Sequence, residues 1–391
     1  MRLTALFGVF LSGCYLTHER VPGDAGGRPD VRSVDARSAD VPSVDAPLAP
    51  LRCDEVVVSH TRALDDTTRS GVTPRLVVLP GNELGLVYVS VDGDPTRVSF
   101  ERFSATLERI GEPVVIASDA FTWAEPAWLG ERLAIAYGRA AADPSEIAYI
   151  APDGTRQGTS PVSLPHPSFI APLGDGVLWV TFDMRTDNAF LIDALDRTGM
   201  ARRDPQRIEA GRYGSGFGLA ALPDGGFLFG YAREGPPGVR QVYMRRVEAN
   251  ADLGTEIPLS GDLDSFAVPA SSRGRSIIVF GGDGMLEVAD IDVTGPAIVR
   301  SEQASIRARG AIPAFAEDRV IVATLGADGF LLHDFGRFED EGMTTLATPA
   351  LTGAPQSGDA VSLPGAAVFA VHVVRGSQTF PVLIRVECRG G

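Results

Sequence analysis

The chain has 391 residues, 44% of them hydrophobic, which is enough apolar surface for one large repeat domain or two to three ordinary ones. A formal charge of −15 excludes the basic footprint that nucleic acid or an anionic membrane surface would require. All 35 basic residues are Arg and none is Lys, which together with only three Asn (Asn82, Asn188, Asn250) fits a GC-rich genome and excludes Schiff-base or lysine-nucleophile chemistry.

The first element is "MRLTALFGVFLSGCYL". Arg2 forms a minimal basic region, Leu3 to Phe10 an apolar one, and small or apolar residues lead to Cys14. This three-part pattern predicts an export signal over 1–13 that is too short to span a membrane permanently. Leu11-Ser12-Gly13-Cys14 resembles the lipobox of bacterial lipoproteins. The resemblance implies removal of the signal before Cys14 and acylation of that cysteine on its sulfur and its amine. Each buried CH2 of an acyl chain contributes about 0.8 kcal/mol, so several chains anchor stably. The mature protein is then expected to begin at Cys14 on a membrane surface, and Tyr15, standing where an Asp would signal inner-membrane retention, favours the outer membrane.

Residues 14–50 follow as a tether. Residues 30–49 read DVRSV-DARSA-DVPSV-DAPLA, with Asp30, Asp35, Asp40 and Asp45 in register. Small residues and mixed charge offer too little apolar surface to offset the entropy of ordering, so this segment is expected to be a disordered spacer. Pro22, Pro29, Pro42, Pro47 and Pro50 stiffen it toward an extended form. Calcium is the one ion these carboxylates suggest, but no Asp-x-Asp-x-Asp-Gly loop organises them, and no resident cofactor or metal is expected.

Residues 51–391 repeat. An apolar strand recurs as "LGLVYV" (84–89), "RLAIAYG" (132–138), "VLWVTF" (177–182), "FLFGYA" (227–232), "SIIVFG" (276–281), "RVIVATL" (319–325) and "AVFAVH" (367–372). With Tyr88, Tyr137, Phe182, Tyr231, Phe280, Leu325 and His372 taken as equivalent, the steps are 49, 45, 49, 49, 45 and 47 residues, a spacing typical of propeller blades. A short segment such as "PRLVVLPGN" precedes each apolar strand. A polar Gly/Asp/Pro turn, an alternating strand such as "VSFERFS" and a last short strand such as "EPVVIAS" follow it. Four strands per unit with hairpin-length loops predict an all-β fold, a seven-bladed β-propeller. Two packed all-β domains are the alternative, and no segment has the 3.6-residue period of a long amphipathic helix.

The seventh unit stops after its third strand at Cys388, while a spare strand, "CDEVVVSH" (53–60), stands before the first unit. The N-terminal strand is therefore expected to complete the last blade. Cys388 ends its third strand and Cys53 starts its fourth, so a disulfide would stand where other blades have a turn, and oxidising conditions after export permit it. This arrangement resembles the "velcro" closure of known β-propellers. The repeat has neither a Trp-Asp signature nor the paired-Gly and Trp pattern of kelch repeats, so no subfamily follows.

Catalytic signals are sparse. None of His18, His60, His166, His333 and His372 has a partner at zinc-site spacing, "GSGFG" (214–218) opens no helix, and no Gly-x-Ser-x-Gly elbow occurs. Asp92, Asp94, Asp183, Asp187, Asp283 and Asp328 all fall after second strands, in loops that a propeller gathers on one face. Neighbouring pairs could serve a glycosidase, which needs carboxylates about 5–10 Å apart, or could simply be Asp-Gly turn chemistry. "SDAFTWAEPAW" (118–128) reads as an inter-blade loop that brings Trp123 and Glu125 to the same face, either to stack on a ligand or, for Trp123, to pack between blades one and two. Arg97, Arg185, Arg233 and Arg375 would make that face mixed in charge. The sequence thus predicts a lipid-anchored, monomeric, non-catalytic propeller that binds an envelope protein or glycan, with a polysaccharide hydrolase or lyase as the alternative reading and a structural propeller with calcium bound in its channel as the third.

Overall fold

The computed structural model describes residues 53–64, 68, 72–91, 96–118, 123–138, 144–165, 167–183, 188–209, 216–234, 240–259, 264–282, 284–295, 297–326, 329–338 and 342–390. The signal, Cys14 and the whole tether over 14–50 lie outside the described residues. Seven four-stranded antiparallel sheets form a seven-bladed β-propeller, and the described residues contain, besides strands, a single short 3-10 turn at Pro80–Asn82.

Each blade begins with an innermost strand at the central channel: Arg75–Leu79, Trp123–Trp128, Phe169–Leu173, Gly218–Ala221, Asp264–Ser272, Gly310–Ala316 and Ala354–Leu363. Because these strands are sheet edges, one row of their backbone groups is not committed to a ladder. Proline is tolerated on such an edge, and Pro126, Pro172, Pro269 and Pro313 all sit there. The second strands read as unbroken apolar runs because both of their faces are covered by neighbouring blades. Apolar clusters fill the seams between blades, with an aromatic one between blades three and four in which Phe190 meets Phe217 at 4.8 Å and Phe229 at 5.0 Å.

Blades one to four turn from third to fourth strand in the same way. A residue at positive φ, namely Leu107 (65°), Gly154 (92°), Gly199 (83°) or Ala251 (66°), donates its N–H to the carbonyl three residues earlier. Blade seven has no such turn. Its fourth strand is the N-terminal Glu55–Ala63, running antiparallel to Gln378–Arg389 from Glu55 opposite Arg389 to Ala63 opposite Val382. The Cys53–Cys388 disulfide stands where the turn would be, with Cα atoms 5.4 Å apart. Blade six grips the same point: Arg337 donates to the Cys53 carbonyl and pairs with Asp318, whose other oxygen accepts from the Cys53 amide at 3.4 Å.

Candidate functional site

Cross-strand register defines equivalent positions around the channel. Arg75 lies opposite Val87 in blade one and Glu125 opposite Ala136 in blade two, each one residue before the recurrent position held by Tyr88 and Tyr137. Arg75 and Glu125 therefore occupy the same layer of adjacent innermost strands and meet: Arg75 donates from Nε at 2.8 Å and from Nη2 at 2.5 Å, both to Glu125 Oε1. Arg75 Nη2 also reaches the Ser168 carbonyl of blade three at 3.4 Å, and the guanidinium lies 5.6 Å from the Phe169 ring. From the other side, Asp359 of blade seven accepts the Leu76 amide of blade one on Oδ2 at 2.9 Å. Residues from blades seven, one and two thus converge where the ring closes.

This cluster is dry, with Glu125 6% exposed and Asp359 fully buried. Burial pushes the Glu125 carboxyl up to about 8 against the pull of Arg75, with the charge of Asp359 adding to the rise. Burial likewise pushes Asp359 up to about 7, again opposed by Arg75 and by its backbone hydrogen bonds. Asp193, buried in blade three, rises to about 6 from desolvation alone.

The recurrent position at the end of each second strand carries a second pattern. In three blades it is a tyrosine whose hydroxyl donates to a glutamate: Tyr88 to Glu101 at 2.5 Å, Tyr137 to Glu146 at 2.8 Å, and Tyr231 to Glu256. In blade seven it is His372, fully buried, whose Nε2 meets Thr68 Oγ1 at 2.5 Å. Burial lowers His372 to about 4, so the imidazole is neutral. His372 faces Ser357 across the strand pair, and Asp359, two residues on, lies on the same sheet face. Serine, histidine and aspartate on one face invite a nucleophile reading, but the contacts oppose it. Ser357 Oγ has no hydrogen-bond partner, His372 is engaged by Thr68, and Asp359 is committed to the Leu76 amide.

The sequence-predicted face comes out differently. Trp123 and Glu125 lie on the innermost strand Trp123–Trp128, not in a loop, because a strand edge at the channel tolerates Pro126. The Trp123 ring is buried between blades two and three, with Ile147 and Trp179 in the same cluster, and not between one and two. It crosses above Gly138, its strand partner, where a Cβ would approach Trp123 Cζ2 to 2.6 Å. Glu125 faces Arg75, not solvent. Asp183 ends the second strand of blade three, half-buried, whereas Asp92, Asp94, Asp187, Asp283, Asp328 and Arg185 lie outside the described residues. Arg97 is exposed at the start of a third strand. Arg233 stacks 4.2 Å from the Tyr243 ring and pairs with Glu256 at 3.1 Å, and Arg375 donates to the Thr352 carbonyl at 2.5 Å. Among the described residues no three His, Cys, Asp or Glu side chains gather as a metal site, and no helix is long and apolar enough to cross a membrane.

Arg75, Ser357 and Asp359 were not singled out from the sequence. The available signal was a charged residue inside an otherwise apolar or small-residue inner strand, as in "PRLVVL" and "SGDAVSL".

No family model matches the chain, and no curated protein matches it. Solved structures share its fold. A protein of unknown function from Dyadobacter fermentans aligns with 88% of this chain and 100% of its own, at 12% identity and a TM-score of 0.50. A chain of the mitotic checkpoint complex aligns over 89% of this chain and 98% of its own, at 11% identity and a TM-score of 0.51. Hydrazine synthase from Kuenenia stuttgartiensis aligns over 77% of this chain and 95% of its own, at 13% identity and a TM-score of 0.51. At these identities the likeness is one of fold alone.

Proposed function

We propose that the protein is an exported, lipid-anchored propeller that presents a rigid disc for contact with an envelope protein or glycan and does not transform its partner. The observation that carries this reading is the Cys53–Cys388 disulfide in place of a hairpin turn, since structural disulfides persist in oxidising compartments. It agrees with the lipobox-like Leu11–Cys14 and with a tether between Cys14 and the ring. The non-catalytic part rests on the state of the polar groups: the carboxyls raised by burial, Glu125 and Asp359, are sealed against Arg75 and the Leu76 amide, where no sugar or peptide reaches them. Rigidity follows from a ring closed by a strand ladder and a covalent bond, which lets loops at one face be held in fixed relation.

The test is a cross-linked pull-down from intact envelopes of the native host, with photo-reactive or carboxyl-directed reagents because the chain has no lysine amine, alongside intact mass of the mature N-terminus. A reproducible envelope protein or glycan, together with a lipid-modified Cys14, is the expected result. An unmodified Cys14 removes the anchor. Cleavage of envelope polysaccharide by the purified domain that disappears in Asp183→Asn, or in the equivalent variants of Asp92, Asp283 or Asp328, overturns the non-catalytic reading in favour of a propeller hydrolase or lyase.

A further inference from the structure

The seam that closes the ring buries two carboxyls, Glu125 and Asp359, beside a single cation, Arg75. Among the side-chain atoms buried there without a partner are Glu125 Oε2, Asp359 Oδ1, Ser357 Oγ and His372 Nδ1. Each carboxyl is bonded through one oxygen only. Arg75 donates from Nε and from Nη2 to Glu125 Oε1, and the Leu76 amide donates to Asp359 Oδ2. Thr68 Oγ1 meets His372 Nε2 at 2.5 Å, and Nδ1 is the ring nitrogen left unbonded. Orphaned carboxylate oxygens in a dry site are costly, and two ionised carboxylates beside one guanidinium leave an uncompensated negative charge as well.

The charged and titratable groups around the cluster do not supply what is missing. Blade one offers Arg75, already committed, and Glu101, which is taken by the Tyr88 hydroxyl at 2.5 Å and by Arg109 at 2.8 Å. Blade three contributes the Ser168 carbonyl and the Phe169 ring, neither of them charged. Blade six contributes Ile312, whose Cδ1 lies against Gly358. Blade seven contributes Ser357 and His372, and burial holds that imidazole neutral. The donor that needs no cavity is a proton. One proton on either carboxyl turns a bare acceptor into a donor and brings the Arg75, Glu125 and Asp359 cluster to zero net charge.

We propose that Glu125 and Asp359 hold one proton between them at neutral pH, and that this proton is part of the ring's closure. The upward push of burial on both carboxyls acts in the same direction, and the pair, not either residue alone, is the titrating unit. The sign follows from linkage. In the unfolded chain both carboxyls release their protons in the ordinary carboxylate range, so the folded ring binds more protons from about pH 5 to about pH 8. Stability then falls as pH rises through that window, and the seam between blades seven and one is the part that loosens.

Infrared spectroscopy of the full mature chain tests this through the C=O stretch of a protonated carboxylic acid. Asp193 is a second buried carboxyl, so the spectra are taken in an Asp193→Asn background. Expected is a protonated-carboxyl band at pH 7 that disappears by pH 9 and is absent from the Glu125→Gln/Asp359→Asn double variant, whose thermal midpoint is also flatter between pH 6 and 9. A spectrum without that band at pH 7 overturns the proposal, as does a band that survives in the double variant. If the double variant does not fold, the carboxyl 13C titration of the Asp193→Asn protein decides: two carboxyls fully ionised at pH 7 in the folded state would refute proton sharing.

Discussion

Replacing Cys53 and Cys388 with serine should weaken the ring without changing its fold, and the size of the loss can be worked out. The bond joins residues 335 apart in sequence. On the chain-entropy scale a loop of that length stabilises by about 6 kcal/mol, just above the range disulfides usually contribute. With unfolding entropy of roughly 2 cal/mol/K per residue over the propeller, that is a fall in thermal midpoint of roughly 8 °C. The remaining interactions keep the variant folded: the ladder from Glu55–Arg389 to Ala63–Val382 persists, and Arg337 and Asp318 still hold the backbone of residue 53. The unfolded chain, freed of its cross-link, expands, so the denaturant dependence should steepen. Urea unfolding of the double variant measures all of this, and hydrogen exchange at Val56, Val57 and Val58 reports whether the terminal strand opens before the rest. A loss below about 1 kcal/mol, with those amides as protected as in the parent, would show that the strand ladder alone closes the ring.

Three further substitutions probe the interior. Gly138→Val places a side chain where a Cβ already meets Trp123 Cζ2 at 2.6 Å, and overpacking should cost about 1–3 kcal/mol and shift tryptophan fluorescence; an unchanged midpoint would mean that blades two and three part easily. Arg75→Met strands Glu125 beside Asp359, so the loss should reach about 3–5 kcal/mol at pH 8.5 and shrink at pH 6, below the raised values of both carboxyls; a loss independent of pH argues against a proton held by the pair. His372 is held neutral with its pKa lowered to about 4, so the unfolded chain takes up a proton that the folded chain refuses between about pH 6.5 and 4. Stability should therefore drop as pH falls through that range, and His372→Gln should remove the drop in a thermal scan against pH.

The blade architecture was legible because it is local and repeated. Seven apolar strands at a spacing near 47 residues, each followed by turn residues, report the period of one blade, and alternation within about six residues decides strand against helix. The closure was legible by counting, since a unit without a fourth strand and a strand without a unit leave a single pairing. "SDAFTWAEPAW" misled for a physical reason: Pro126 and the charged Glu125 have the composition of a loop, yet an innermost strand is a sheet edge where proline is tolerated and a carboxylate can meet a cation from the next blade.

Sequence by itself determined the strand order, the number of blades and the pairing of Cys53 with Cys388, because those depend on short-range periodicity and on completing a count. Only the tertiary structure decided which polar residues meet. Arg75 and Glu125 are 50 residues apart, and Asp359 lies 283 residues beyond Leu76. No local pattern links them. Arg75 and Glu125 become neighbours when blade two docks on blade one, and Asp359 joins them only when the seventh blade docks on the first.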